Sequence, residues 1–365
     1  MKRNSAISAH PFRDWCPPEQ VFRTQFISLA IRLDRIGVKS VTIGLSGGLD
    51  STLCLLVAVE AFRLLKLPKR NIKVYTMPGF GTTKRTKGNA ELLCEGLGLK
   101  VETIDIAKSC LQHFRDIGQN PKKHDVTFEN AQARMRTMIL MDKANQTGGI
   151  VLGTGDMSEI ALVWCTYNGD HMSMFGVNAG VPKTVVRDVC RWWAGEKMKG
   201  EGGRVNDEGR RVKGAGRRVK GDGRRVKGAR LLDGGKAARA ILDILDTPVS
   251  PELLPSKKGR IAQKTEERIG PYELHDFFIW RALVCGERRK AIRAAAKRAF
   301  KGVYGEEEID RWLEVFCRRL VTQAFKRNCA PDGIKVFPAY FGPDDWHIPS
   351  DTIYAGDIPA IRRRP

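Results

Sequence analysis

The octapeptide Gly44-Leu-Ser-Gly-Gly-Leu-Asp-Ser51 holds the residue types that a bound phosphate needs. Its glycines let the backbone approach an anion closely. It follows a short run rich in Val and Ile and opens a long apolar one, so it reads as the turn from a strand into a buried helix. The N-terminus of such a helix turns free N–H groups and a positive dipole end toward the ligand. Ser46 and Ser51 add hydroxyl donors. Asp50 is out of place beside a phosphate unless a divalent cation shares the site, and magnesium takes one or two carboxylates together with phosphate oxygens. The Gly-x-x-x-x-Gly-Lys-Ser/Thr pattern of kinase-like phosphate loops does not occur. The plainer reading of the same residues is an ordinary glycine-rich turn.

The surrounding segments decide how such a loop would be held. Short runs at 40–45 (SVTIGL), 71–77 (NIKVYTM), 100–106 (KVETIDI) and 149–153 (GIVLG) read as strands. Helical stretches separate them: residues 52–65 are apolar nearly all round, and residues 127–145 are polar on one side. Strand–helix alternation predicts an α/β fold, a Rossmann-like doubly wound parallel sheet with helices on both faces. Ligands in such sheets sit beyond the carboxyl ends of the strands. A helical C-terminal region follows, with helices expected near 237–245, 273–285, 290–300 and 306–325. From residue 331 the Pro- and Gly-rich chain reads as irregular.

Residues 44–51 resemble the pyrophosphatase loop of the ATP-pyrophosphatase family, whose members cleave ATP to AMP and pyrophosphate and activate a substrate oxygen by adenylation. Further motifs narrow the likeness. Met77-Pro-Gly-Phe-Gly-Thr-Thr83, Glu129-Asn-Ala-Gln-Ala-Arg134, Gly153-Thr-Gly-Asp-Met-Ser-Glu159 and Trp164-Cys-Thr-Tyr-Asn-Gly-Asp170 follow in order. Then come Val177-Asn-Ala-Gly-Val-Pro-Lys-Thr184, Thr247-Pro-Val-Ser-Pro-Glu-Leu253, Gly270-Pro-Tyr-Glu-Leu-His-Asp-Phe-Phe278 and Phe325-Lys-Arg327. Together they are similar to the synthetase domain of NAD synthetases of the glutamine-dependent type.

That resemblance implies a reaction. The nicotinate carboxylate of deamido-NAD attacks the α-phosphate of ATP, pyrophosphate leaves, and ammonia displaces AMP to give NAD. It also implies roles. Gly44, Leu45, Ser46, Gly47, Gly48, Leu49, Asp50 and Ser51 would bind ATP together with Thr154 and Lys183, the lysine neutralising phosphate charge. Asp50 and Glu159 would hold Mg2+. Asn130, Arg134, Glu159, Trp164 and Lys326 would bind deamido-NAD, with Trp164 offering an aromatic face to a cationic ring. Asp170 would stand near the ammonia and take a proton from it. Asp50, Glu159, Asp170 and Lys183 form the implied catalytic set. Some of the implied residues have a bland reading beside them: Trp164 as core, Arg134 and Arg136 as a solvated helix face, Lys326 and Arg327 as surface charge, Asp170 as part of an Asn-Gly-Asp turn.

Glutamine-dependent relatives carry an amidase domain ahead of the synthetase domain. Only about ten residues precede His10-Pro-Phe12, which resembles the family's linker. The expectation is therefore free ammonia, ammonia from a separate glutaminase subunit, or a chain that is a fragment of a longer protein. At least a homodimer is expected.

The chain has 365 residues and a formal net charge of +22, which taken alone points to a polyanion partner. Much of that charge is local: 15 basic and 6 acidic residues lie between 196 and 239, where Arg-Arg-Val-Lys-Gly recurs at 210, 217 and 224. With one Val per repeat the segment cannot offset its ordering entropy and reads as a disordered insert. The expected organisation is a linker remnant (1–18), a core (19–195), the basic insert (196–239), a helical part of the same domain (240–350) and a tail (351–365). No run of about 18 apolar residues occurs, so no membrane span is expected. Nine scattered cysteines argue for a reducing cytoplasm rather than a disulfide framework or zinc site. The loop and the charge leave two other classes, a tRNA-modifying enzyme of the same loop family and a non-catalytic nucleic-acid-binding protein. The intact loop disfavours the second.

Overall fold

Parallel pairing of short β-branched runs builds the centre of the molecule. The computed structural model describes residues 7–205, 234–247, 253–254, 265–342, 345 and 348–358. Strands β1 (Val41–Gly44), β2 (Ile72–Thr76), β3 (Val101–Thr103), β4 (Ile150–Gly153) and β5 (Phe175–Gly176) form one sheet in the order β3-β2-β1-β4-β5. Val41 lies opposite both Ile72 and Ile150, which makes β1 the central strand. The four expected strands all form, each a little shorter than the run that announces it. β5 has two residues, too few for any periodicity to reveal.

Fourteen helices surround the sheet among the described residues. The first seven are α1 (Pro11–Trp15), α2 (Pro18–Arg35), α3 (Leu49–Leu64), α4 (Lys84–Leu97), α5 (Ala107–Asp116), α6 (Val126–Thr147) and α7 (Met157–Leu162). They continue as α8 (Lys183–Val205), α9 (Gly234–Leu245), α10 (Thr265–Ile269), α11 (Tyr272–Ile279), α12 (Arg289–Ala299), α13 (Glu306–Thr322) and α14 (Ala324–Arg327). Adjacent strand residues point to opposite faces, so Val74 enters the large core with α2, α3 and α8, while Tyr75 enters a smaller one with α5 and α6. The sheet is thus wound on both faces. The chain changes direction between β1 and β4, and a crevice opens at that switch.

Two expectations shift at their boundaries. Residues 11–15, read as linker, form α1, whose Phe12 is buried with ring centroids 4.9 Å from Trp280 and from Phe337. The stretch 196–239 is helical at both ends. Lys197 lies over the Trp193 ring and Lys199 pairs with Glu196 one turn back, which carries α8 on to Val205. At the other end Gly96 of α4 lets α9 come so close that a Cβ there would meet Ala237 N at 2.4 Å. The heptapeptide repeats, at 206–233, lie outside the described residues, as do positions 248–252 of the motif that begins at Thr247. All nine cysteines are free thiols. No described helix is long and apolar enough to cross a membrane.

The C-terminal segment closes the sheet edge. Gly176 N–H donates to Asp332 O and Ile334 N–H returns to Gly176 O. Gly180 faces this segment so closely that a Cβ would sit 2.2 Å from Ile334 O, a backbone atom. Gly180→Ala should therefore cost about 1–3 kcal/mol by overpacking. The measurement is thermal unfolding, in which the midpoint should fall by a few degrees. An unchanged midpoint would mean that this edge is not held as described.

Candidate functional site

The carboxyl ends of β1 and β4 open into a cavity of about 740 Å3, a size usual for small-molecule sites. The 44–51 loop forms its floor. Gly47 adopts φ +83°, and a Cβ there would lie 2.5 Å from Thr86 O, so only glycine fits. Ser46 Oγ accepts the Gly48 N–H at 3.2 Å and lies 3.0 Å from Ser51 Oγ, which folds the loop on itself. α3 starts at Leu49, and the first-turn N–H groups of Leu49, Asp50 and Ser51 have no helical acceptor. An anion is the natural partner for them.

Beside the loop sits a cluster of buried charge. Lys183 Nζ lies 2.7 Å from Asp50 Oδ2, 2.7 Å from Asp156 Oδ2 and 2.8 Å from Glu159 Oε1. It also faces the Tyr272 ring, 5.3 Å from the centroid. Burial pulls this ammonium toward neutrality, but Asp156, Asp50 and Glu159 together hold its pKa well above the ordinary lysine value. Burial pushes the Asp156 carboxyl well up, with Lys183 opposing, and raises Glu159 to about 7 in the same way. One oxygen from each of the three carboxylates lies within 4.8 Å of the others, a spacing that a single cation can bridge. Asp156 was not among the residues expected here. Asp-x-x-Glu directly after a strand is its signal: Asp156 caps α7 by accepting the N–H groups of Ser158 and Glu159.

The expected site residues do not all converge. Thr154, Glu159, Trp164, Asp170, Asn130, Lys183 and Lys326 line the cavity with the loop. Asn130 Oδ1 accepts Thr166 Oγ1–H at 2.8 Å, and Asp170 Oδ1 accepts the Thr166 N–H at 2.7 Å, so the two are held by one residue. One face of Trp164 already carries a cation, the Arg319 guanidinium, 5.4 Å from the ring centroid. Arg134 lies outside the lining: it is exposed and donates to Tyr167 O at 3.1 Å. The lining face of α6 runs through Glu129, Ala133, Arg136 and Leu140, and Arg134 is turned about 100° past Ala133. Arg327, beside Lys326, is buried rather than surface charge, and burial lowers its pKa to about 10.

Two further residues fasten the site. Buried Asn178 donates to Asp50 O at 2.9 Å and to Thr154 O at 3.0 Å, tying the first turn of α3 to the end of β4. Asp276 of α11 accepts a short hydrogen bond from the Ser158 hydroxyl and the Thr184 N–H at 3.0 Å. Both belong to quoted motifs, but only tertiary contacts reveal what they hold.

Fold and site together define a doubly wound α/β protein with an anion-accepting loop and a carboxylate cluster at the switch of its sheet. Residues 22–197 match the family model described as NAD synthase. The chain is 35% identical over 375 aligned positions to the glutamine-dependent NAD(+) synthetase of Mycobacterium leprae (strain TN), covering 96% of this chain and 50% of that protein. The glutamine-dependent NAD(+) synthetase of Thermotoga maritima is 36% identical over 188 positions, 49% of this chain and 31% of that one. The chain thus spans about half the length of the curated relatives it matches most fully. A crystal structure of a glutamine-dependent NAD(+) synthetase from Cytophaga hutchinsonii shares the fold, with TM-score 0.66 and 17% identity over 92% of this chain and 54% of that one.

Asp276 also sets a pH dependence. Burial raises its carboxyl from 3.8 to about 6, against the pull of its Ser158 and Thr184 donors. The native state therefore holds a proton that the unfolded chain has already lost between pH 4 and 6, so this group's stabilisation is complete below pH 4 and declines as pH rises. Measured by urea unfolding, wild type should lose about 3 kcal/mol relative to Asp276→Asn between pH 4 and 7. A constant difference across that range would contradict the assignment.

Proposed function

We propose that the chain amidates deamido-NAD to NAD with ATP and ammonia, releasing AMP and pyrophosphate. One observation carries this reading: an anion-accepting loop, a buried lysine and a carboxylate cluster face one cavity in a chain that matches the NAD synthase family model over residues 22–197. The loop N–H groups would orient the ATP phosphates, and Lys183 would neutralise charge on the departing pyrophosphate. Asn130, Trp164 and Lys326 would hold the dinucleotide. From α6, Arg136 would join them, since it lines the cavity and Arg134 does not. Asp170, open to the cavity, would hold the proton released as ammonia attacks.

The donor set fits a magnesium ion. The carboxylates are hard oxygen ligands, and Asp50 Oδ1 is buried without a hydrogen-bond partner among the described residues. Asp50 and Glu159 would hold the ion, which when bound stabilises charge on the phosphate oxygens. Ammonia would arrive free or from a separate glutaminase, to a chain assembled at least as a dimer. A tRNA-modifying reading of the same loop is not favoured, since the family match is to NAD synthases.

The test is product analysis with ATP, Mg2+, deamido-NAD and ammonium. NAD, AMP and pyrophosphate are expected in equal amounts. ADP and phosphate would sink the mechanism, and failure to consume deamido-NAD would sink the substrate.

Asp50→Asn and Glu159→Gln keep side-chain size but remove a charge on the cation site. Each should lower kcat by about a hundredfold or more while circular dichroism stays unchanged. Rates within about threefold of wild type would remove these two from the metal site.

A further inference from the structure

The Lys183 cluster holds more acid than its lysine can balance. Three carboxyl groups surround one ammonium in a largely buried place, so full ionisation would leave two negative charges without a partner. Two of the oxygens, Asp50 Oδ1 and Asp156 Oδ2, have no hydrogen bond among the described residues, although Asp156 Oδ2 is within ion-pair distance of Nζ. Asp156 is fully buried, and its other oxygen is committed to capping α7. Tyr272, itself buried beside the ammonium, keeps a hydroxyl with no described partner. The lysine is also the first residue of α8, at the positive end of a helix, where a cation is disfavoured. The carboxylates sit in the first turns of α3 and α7, where anions are favoured. The place suits a small cation of higher charge better than it suits an ammonium on a four-carbon stem.

We propose that Lys183 is a built-in placeholder for a divalent cation, in a site that has Asp156 as its third carboxylate beside Asp50 and Glu159. Cation entry and Lys183 occupancy compete. When a divalent ion takes the three oxygens, the ammonium is expelled toward the open cavity and the loop at 44–51, where phosphates are expected. Charge on the empty site is thereby limited, and the lysine is released only when the ion is present. This builds on the metal–ATP reading above, but ion binding without nucleotide is read independently of turnover. Loss of AMP formation in the product assay would sink that reading and leave this result standing.

The probe is Mn2+ alone, with free ion counted by its paramagnetic resonance signal. Lys183→Met is expected to bind Mn2+ roughly tenfold more tightly than wild type, because a competing cation has gone. Asp156→Asn added to Lys183→Met should take back about threefold or more of that gain. Affinities of wild type and Lys183→Met within about twofold, or indifference to Asp156→Asn, would overturn the proposal. Should Lys183→Met not fold, wild type carries the test. Acetylation of Lys183 by acetic anhydride, read by peptide mass spectrometry, is expected to accelerate about fivefold at millimolar Mn2+ as the amine leaves its cage. Equal labelling with and without Mn2+ would overturn the proposal too.

Discussion

The rest of the site depends on one arrangement, a lysine ammonium held among the carboxylates of Asp50, Asp156 and Glu159. Burying four ionisable groups is costly, and a well-packed apolar replacement is often no less stable. The cluster is therefore not explained by stability. What it does is fix the angles between three helix starts. α3 brings Asp50, α7 brings Asp156 and Glu159, and α8 brings Lys183. Their positive ends converge on one volume, which offsets part of the cost of the acids and leaves the loop N–H groups facing the same space.

The cavity is charged on both sides rather than uniformly basic. Arg136, Arg319 and Lys326 share its lining with Asp50, Glu159 and Asp170. A net +22 would suggest a polyanion groove, yet the walls alternate in sign. That pattern suits a ligand with separate anionic and cationic parts better than an extended nucleic-acid backbone, which asks for a continuous basic track.

Much of this was legible in the sequence, and the reasons for the gaps are physical. The four longer strands, the glycine loop and the buried helix after it are local, written in β-branched runs, a turn and an unbroken apolar stretch. Asp50, Glu159 and Lys183 were legible through motif likeness. Asp156 shares its motif with Glu159, but a cap residue and a site residue have one signature there. Arg134 and Arg136 differ by two positions, and only the packing of α6 on β1 and β4 decides which one turns inward. β5 draws its place from pairing with β4 and from the segment after Asp332 rather than from its own two residues. Pairings 92 to 166 residues apart leave no local trace.

Those distant pairings also explain why the site is not contained in the segment that matches the family model. The match ends at residue 197, but both ends of α7 are fastened from beyond it. At its start Asp276 holds Ser158, between Asp156 and Glu159. At its end Arg319 donates to the carbonyls of Leu162 and Val163, and Arg327 to that of Ala161. These guanidinium groups satisfy the acceptors that a helix terminus leaves open, and Val163, at φ +49°, turns the chain out of the helix just there. A six-residue helix has too few internal hydrogen bonds to hold itself. The position of Glu159 is therefore a property of α11, α13 and α14 as much as of the sheet. The helical C-terminal part is the other half of the site's scaffold, and not an appendage to the sheet.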